Sequence, residues 1–316
     1  MIITLTLFLC GLLLLVSGAE ALVRGASALA LRLGISPLLI GLTVVAFGTS
    51  APELAVSVDA ALEGNSSISL GNIIGSNIAN IALILGLAAL IEPMRVQTSL
   101  ITQQIPIMIG VSILLWLLSL DQRLGFLDGL LMFSGIIAYI SFSYRHSQTD
   151  VSATQVEPVV ETSIALMSRL WFCLLLIGVG LAALVAGGSL LVNSAVEIAR
   201  LFNISETLIG LTIVALGTSL PEMATSIVAA IRKQDDIAIG NIVGSNIVNI
   251  LGILGFSSML SPLASAEFGQ LNYIAMIGIA IVLWPLAWTR RRLGRLEGLV
   301  LLTIYVAYVY YLLLKT

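Results

Sequence analysis

Two glutamates, Glu53 and Glu222, stand inside long apolar stretches, each closing the same six-residue run, Gly-Thr-Ser-x-Pro-Glu. An ionised carboxylate at the centre of a bilayer costs about 3 kcal/mol even on insertion scales, so an intramembrane acid is functional by default. A structural ion pair is the plainer alternative, but no lysine or arginine lies deep in any apolar stretch. Directly before each glutamate, Pro52 and Pro221 remove a helical N–H and crowd the preceding turn. Such a break is tolerated in lipid only where it is buried in protein or lines a polar cavity. Carbonyls loosened near Ala46 and Ala215, the hydroxyls of Thr49, Ser50, Thr218 and Ser219, and the two carboxylates form a set of oxygens alone. Hard cations such as Ca²⁺ take about six to eight oxygens, whereas softer metals ask for His or Cys. The residue types therefore predict a hard-cation site.

A second pair of motifs follows, Gly71-Asn72-Ile73-Ile74-Gly75-Ser76-Asn77-Ile78-Ala79-Asn80 and its copy over Gly240 to Asn249. Ser76 and Asn80 are four apart and share a helix face, as do Ser245 and Asn249. Gly71-x-x-x-Gly75 also reads as a close-packing seam, with Asn and Ser as glue between membrane helices. Both readings are kept: glycines for approach, and Ser76, Asn80, Ser245 and Asn249 as neutral oxygens aimed at a cation. Asp59, whose counterpart is Val228, points elsewhere and reads as a charge at a mouth or interface. His146, Cys10 and Cys173 carry no chemistry here; the cysteines read as small hydrophobes.

The elements that must hold these residues are membrane helices. Of 316 residues, 59% are hydrophobic and only 10% charged, against roughly 25% charged in a soluble domain; the mean hydropathy is +1.09. Ten apolar segments are expected, at 2–23, 36–62, 67–90, 104–120, 124–144, 170–192, 205–231, 236–260, 271–289 and 296–314. The first resembles a secretory leader, but no basic residue precedes it, so it is kept as a membrane helix. As a straight helix, 36–62 would span roughly 40 Å against a core of about 30 Å. It must tilt or break, and Gly48 to Pro52 is the place to break.

Shifting the chain by 169 positions lays one half on the other without a gap. Gly48-Thr49-Ser50 falls on Gly217-Thr218-Ser219, Pro52-Glu53 on Pro221-Glu222, and Asn80-Ile81 on Asn249-Ile250. The expected units are 1–144 and 170–316, five helices each, joined by a polar linker at 145–169. An odd helix number makes the second copy enter from the opposite side, an inverted repeat with the site at the midplane. With the N-terminus outside, eleven of the 14 basic residues fall in inside loops, as the positive-inside rule asks. Both termini are then expected outside, or periplasmic, of a plasma (inner) membrane.

The doubled, inverted compound of Gly-Thr-Ser-x-Pro-Glu and Gly-Asn-Ile-x-Gly-Ser-Asn-Ile-x-Asn-Ile resembles the alpha-repeats of the sodium/calcium exchanger family, within the calcium/cation antiporter superfamily. The resemblance covers both halves. It implies a Na⁺/Ca²⁺ antiporter, usually three Na⁺ per Ca²⁺, with ligands at Thr49, Ser50, Glu53, Ser76 and Asn80, at Thr218, Ser219, Glu222, Ser245 and Asn249, and at the carbonyls of Ala46 and Ala215. Several members, including the potassium-dependent branch, carry an aspartate where this chain has Asn249, and this departure leaves both potassium dependence and ion stoichiometry open.

Two carboxylates supply a charge of −2, which one Ca²⁺ neutralises and several Na⁺ share, so occupancy by one ion excludes the other. The first and sixth segments, apolar and without buried charge, are expected to slide across the rest, a step the resemblance implies. Na⁺ and Ca²⁺ are cargo, and neither a cofactor nor a nucleic-acid partner is expected; lipid is the surrounding partner. Proton/cation exchange through the same glutamates is the alternative, and a cation channel a more distant one. No Walker loop or protease-like Ser-His pair suggests an enzyme.

Overall fold

The computed structural model describes residues 2–151, 169–202, 215–265 and 269–315 and is helical almost throughout. The chain opens with α1 (Ile2–Leu33), followed by α2 (Pro37–Thr49) and α3 (Ala51–Leu62). Next come α4 (Ser66–Ile91), α5 (Leu100–Leu118) and α6 (Phe126–Val151). The second half holds α7 (Leu170–Leu201), a short turn Ala215–Gly217, α8 (Leu220–Ile231), α9 (Asp235–Leu260), α10 (Gln270–Trp288) and α11 (Arg295–Lys315).

Among the described residues, eight helices are long and apolar enough to cross a membrane, and α2 with α3, bent by 48°, make a ninth. The segment expected at 205–231 falls partly on 203–214, outside the described residues, and α8 is its described part. The linker expected at 145–169 likewise lies mostly outside them, although α6 continues to Val151. Helices α1 and α7 run past the expected ends at 23 and 192. The continuation of α1 is rich in Ala and Leu, good helix formers, and Arg24, Arg32 and Arg200 sit exposed on the two extensions.

Burial sorts the helices into layers. The apolar window of α9 is wholly buried and that of α4 is 78% buried, whereas α11 is 11% buried. Helices α4 and α9, which carry the Gly-Asn-Ile motifs, therefore form the centre. The outer helices turn Leu, Ile and Val outward, as a lipid-facing surface requires. Glycine lets the layers close. A Cβ on Gly244 would lie 2.6 Å from the carbonyl oxygen of Leu42 in α2.

Helices α1 and α7 pack on each other as an antiparallel pair. Gly11 lies against Gly187 and Gly18 against Gly180, so close that a Cβ on Gly18 would sit 2.8 Å from the Gly180 carbonyl oxygen. Small residues allow this backbone-to-backbone approach, in which dispersion rather than the hydrophobic effect holds membrane helices together.

Two-residue strands tie the ends of the bundle. β1 (Met94–Arg95) pairs with β4 (Arg292–Leu293), and β2 (Arg123–Leu124) with β3 (Leu263–Ala264), both antiparallel. Met94 pairs with Leu293 and Leu124 with Leu263, so the pairings exchange under the 169-residue shift. At the β1–β4 end, Arg95 N–H donates to Asp235 at 2.8 Å, and Gln97 donates to Asp236 at 2.5 Å. Lys233 pairs with Glu92, and Arg232 with Glu20 at 2.7 Å. A cavity of about 640 Å³ opens there between acidic Glu92, Asp235 and Asp236 and basic Arg95, Lys233 and Arg292; neither Glu53 nor Glu222 lines it. At the opposite end, Ala264 N–H donates to Ser66 at 2.9 Å, and Ser265 N–H to the Gln122 carbonyl at 2.9 Å.

Candidate functional site

Helix α2 stops where its sequence says it must. Ser50 has φ −80° and ψ 10°, and Pro52, with no N–H to give, stands in the first turn of α3. Ser219 repeats the geometry at φ −87° and ψ 8°, ahead of Pro221 in α8. Each break faces the first residues of a new helix, where unpaired N–H groups favour negative charge. Glu53 and Glu222 occupy those first turns. Glycine at each break is explained by packing: a Cβ on Gly48 would meet the Leu181 side chain at 2.5 Å, and one on Gly217 the Val192 side chain at 2.6 Å.

The two glutamates are fully buried and cross-tied. Ser50 Oγ donates to Glu222 Oε1 at 2.9 Å, and Ser219 Oγ lies 3.0 Å from Glu53 Oε1. Ser76 joins on the first side, 3.4 Å from Glu53 Oε1 and 3.2 Å from Ser219 Oγ. Ser245, also fully buried, stands beside Glu222. The second oxygens, Glu53 Oε2 and Glu222 Oε2, and the amide oxygens of Asn80 and Asn249, are buried without a hydrogen-bond partner. The ion pairs among the described residues, Arg24–Glu20, Arg232–Glu20 and Lys233–Glu92, all lie towards the surface. Two buried carboxylates with no basic partner form an arrangement that is costly in isolation; an oxygen-seeking cation supplies what it lacks.

Eight of the twelve residues singled out in the sequence, Ser50, Glu53, Ser76, Asn80, Ser219, Glu222, Ser245 and Asn249, are buried in this cluster or one turn from it. Ala46, Ala215, Thr49 and Thr218 stand differently. The Ala46 carbonyl is not loosened: Ser50 N–H donates to it at 3.1 Å, and Thr49 Oγ1 lies 3.4 Å away. It is Gly48 that loses its donor four residues on, because that donor is Pro52. An engaged carbonyl keeps a second lone pair, so Ala46 stays available as an oxygen. Ala215 opens the turn Ala215–Gly217. Thr49 and Thr218 spend their hydroxyl protons on Asn241 Oδ1 (3.1 Å) and Asn72 Oδ1 (3.4 Å). Asp59 is exposed on α3, away from this cluster.

Several residues here escaped the sequence reading. Asn72 Nδ2 donates to the Glu53 carbonyl at 3.2 Å and to Ser57 at 2.9 Å, splinting α3 against α4; Asn241 does the same to Glu222 (3.5 Å) and Ser226 (3.1 Å). Asn77 and Asn246 bond across the interface of the halves. Their signal was recurrence under the 169-residue shift. Spacing had singled out the Ser76–Asn80 face only. Equally unannounced are π-helical turns at Ala79–Leu85 and Val248–Leu254, matching positions that contain Asn80 and Asn249. Such widened turns recur at functional sites because they re-aim side chains.

The family model for sodium/calcium exchanger proteins matches residues 3–145 and 172–314. The chain is 38% identical to the putative antiporter CaxA of Alkalimonas amylolytica, over 99% of both chains. It is 33% identical to the sodium/calcium exchanger MaX1 of Methanosarcina acetivorans, over 96% of both. Among solved structures it is similar to the sodium-calcium exchanger NCX_Mj, with a TM-score of 0.85, 31% identity, and coverage of 98% of this chain and 99% of that one.

Proposed function

This chain belongs to the sodium/calcium exchanger family and is a sodium/calcium antiporter, a transporter rather than an enzyme, and we propose that it passes both ions in turn through one midplane site shared by two inverted halves. The observation that carries this reading is the cross-tied pair of buried carboxylates, each with one oxygen held by a serine of the other half and one oxygen without a partner.

The proposed ligands are Thr49, Ser50, Glu53, Ser76 and Asn80 with their counterparts Thr218, Ser219, Glu222, Ser245 and Asn249, and the carbonyls of Ala46 and Ala215. Ca²⁺ cancels the −2 charge of Glu53 and Glu222 in one step. Na⁺ ions do so only by sharing the same oxygens, so the two cargoes exclude each other and their fluxes are coupled. The halves, 1–144 and 170–316, each contribute five membrane helices to a total of ten, with 145–169 between them. Reciprocal contacts support this: the strand pairings and the Ser50–Glu222 and Ser219–Glu53 bonds exchange under one shift. Alternating access then follows if α1 and α7, paired with each other and with α7 lying over Gly48 and Gly217, move across the bundle as a unit.

The proposed location is the plasma (inner) membrane with both termini outside. The end gathering Arg95, Arg232, Lys233, Arg292 and Arg295 faces the cytoplasm, as the distribution of basic loops favours. At three Na⁺ inward per Ca²⁺ outward, one net charge crosses per cycle, worth about 2.3 kcal/mol per 100 mV, so an inside-negative membrane drives Ca²⁺ out. The test is ⁴⁵Ca²⁺ uptake into proteoliposomes with Na⁺, K⁺ and pH gradients imposed one at a time. A Na⁺ gradient alone drives uptake, and Glu53→Gln and Glu222→Gln each abolish it. Uptake driven only by a pH gradient replaces Na⁺ by H⁺ in the mechanism, and full activity of both variants rejects the site.

A further inference from the structure

We infer that Asn77 and Asn246 are positioning residues, which lock the amides of Asn80 and Asn249 with their oxygens turned towards the transported ion; the inference rests on the site proposed above. The hydrogen bonds form a relay whose direction chemistry dictates. A backbone carbonyl can only accept. The Asn77 carbonyl therefore takes Nδ2 of Asn246 at 3.2 Å, and the Met108 sulfur lies 3.6 Å from the same nitrogen. Asn246 Oδ1 is left as an acceptor, and Asn80 Nδ2 donates to it at 3.0 Å. With its nitrogen so engaged, Asn80 must present Oδ1 on its other side, where that atom is buried and unpartnered.

The mirror relay runs the other way. Asn77 Nδ2 donates to the Asn246 carbonyl at 3.1 Å, with the Met276 sulfur at 3.9 Å. Asn77 Oδ1 accepts from Asn249 Nδ2 at 3.0 Å, and Asn249 Oδ1 is buried and unpartnered in turn. All four asparagines are buried, 2% exposed at most. Asn80 stands one turn beyond Ser76, which touches Glu53, and Asn249 one turn beyond Ser245, which stands beside Glu222.

The relay answers a problem peculiar to amides. A carboxylate offers oxygen whichever way it turns. An amide turned over offers N–H donors instead, which a cation repels. A neutral ligand pair therefore needs an external lock, and here each half supplies the lock for the other. Every ligand amide is held by an asparagine of the opposite repeat, so the halves must stay docked at this contact for either amide to face the ion.

A double-mutant cycle tests the lock. In sodium-driven ⁴⁵Ca²⁺ uptake, Asn77→Ala raises the Ca²⁺ KM about tenfold, the scale of one weakened polar ligand. In an Asn249→Asp background the ligand needs no orientation, and adding Asn77→Ala shifts KM by less than about twofold. Equal tenfold shifts in both backgrounds overturn the lock, leaving Asn77 a packing residue. Asn246→Ala with Asn80→Asp tests the mirror relay and stands in if Asn77→Ala is not monodisperse. If both alanine variants fail to fold with and without the aspartates, the role is structural and the inference falls. The site itself is judged separately, by Glu53→Gln: loss of uptake there together with additive asparagine effects rejects the lock alone.

Discussion

Ser50 donates a 2.9 Å hydrogen bond to the carboxylate of Glu222, a residue 172 positions further along the chain. Neither carboxylate is completed by its own half, because Ser219 stands in the same relation to Glu53. The candidate site lies where the halves meet, and separating them at this point breaks both hydrogen bonds. This is the structural basis for expecting the halves to stay docked about a single ion position while the α1–α7 pair moves.

Removing either cross-tie is expected to weaken ion binding to a similar degree. A hydrogen bond to a charged group contributes about 1.5–3 kcal/mol, so Ser50→Ala and Ser219→Ala should each raise the Ca²⁺ KM roughly ten- to a hundredfold. The Ca²⁺ dependence of sodium-driven uptake measures it. A large effect from one serine and none from the other would contradict the reciprocal geometry.

Ion binding should stabilise the folded protein through the same oxygens. At a Ca²⁺ concentration about one hundred times Kd, linkage adds about 2.7 kcal/mol. Thermal unfolding in detergent, followed by intrinsic fluorescence, should show a Ca²⁺-dependent rise in Tm that Glu53→Gln and Glu222→Gln both lose. Sodium should raise Tm as well, and excess sodium should reduce the additional increment from calcium.

The α1–α7 pair offers a control pair of substitutions on one helix. Gly180 has the Leu22 amide nitrogen 2.7 Å from where a Cβ would stand, whereas Gly178 has nothing within 4 Å. Gly180→Leu should destabilise the protein by at least the 1–3 kcal/mol or so typical of overpacking, since backbone cannot swing aside. Gly178→Ala should leave Tm unchanged or slightly higher, because alanine favours helix over glycine by about 1 kcal/mol. Measuring Tm and uptake for both separates loss of packing from any general intolerance of α7.

Much of this protein is legible without coordinates. The membrane class follows from apolar runs too long and too poor in charge to face water. The repeat follows from a gapless self-match, and the cation chemistry from oxygen-only side chains around two intramembrane glutamates. Each is a property of residue type and spacing along one helix, where a period of 3.6 residues decides what shares a face.

What spacing could not decide is who meets whom across the halves. Glu53 and Ser219 are 166 residues apart, and no helical period relates them. The sequence aimed Ala46 at the ion as a loosened carbonyl, but Ser50 N–H folds back onto it. It passed over Asn77 and Asn246, which fall outside the four-residue spacing that joins Ser76 to Asn80 and Ser245 to Asn249, and it gave no sign of the π-helical turns that carry Asn80 and Asn249. These features arise from docking two helices side by side. The direction of an amide depends on which acceptor the partner helix presents, and a local change of helical pitch depends on how that partner packs. Sequence alone determined which residues have the chemistry to hold a hard cation; only the tertiary structure decided which oxygens are already engaged and which remain turned inward without a partner.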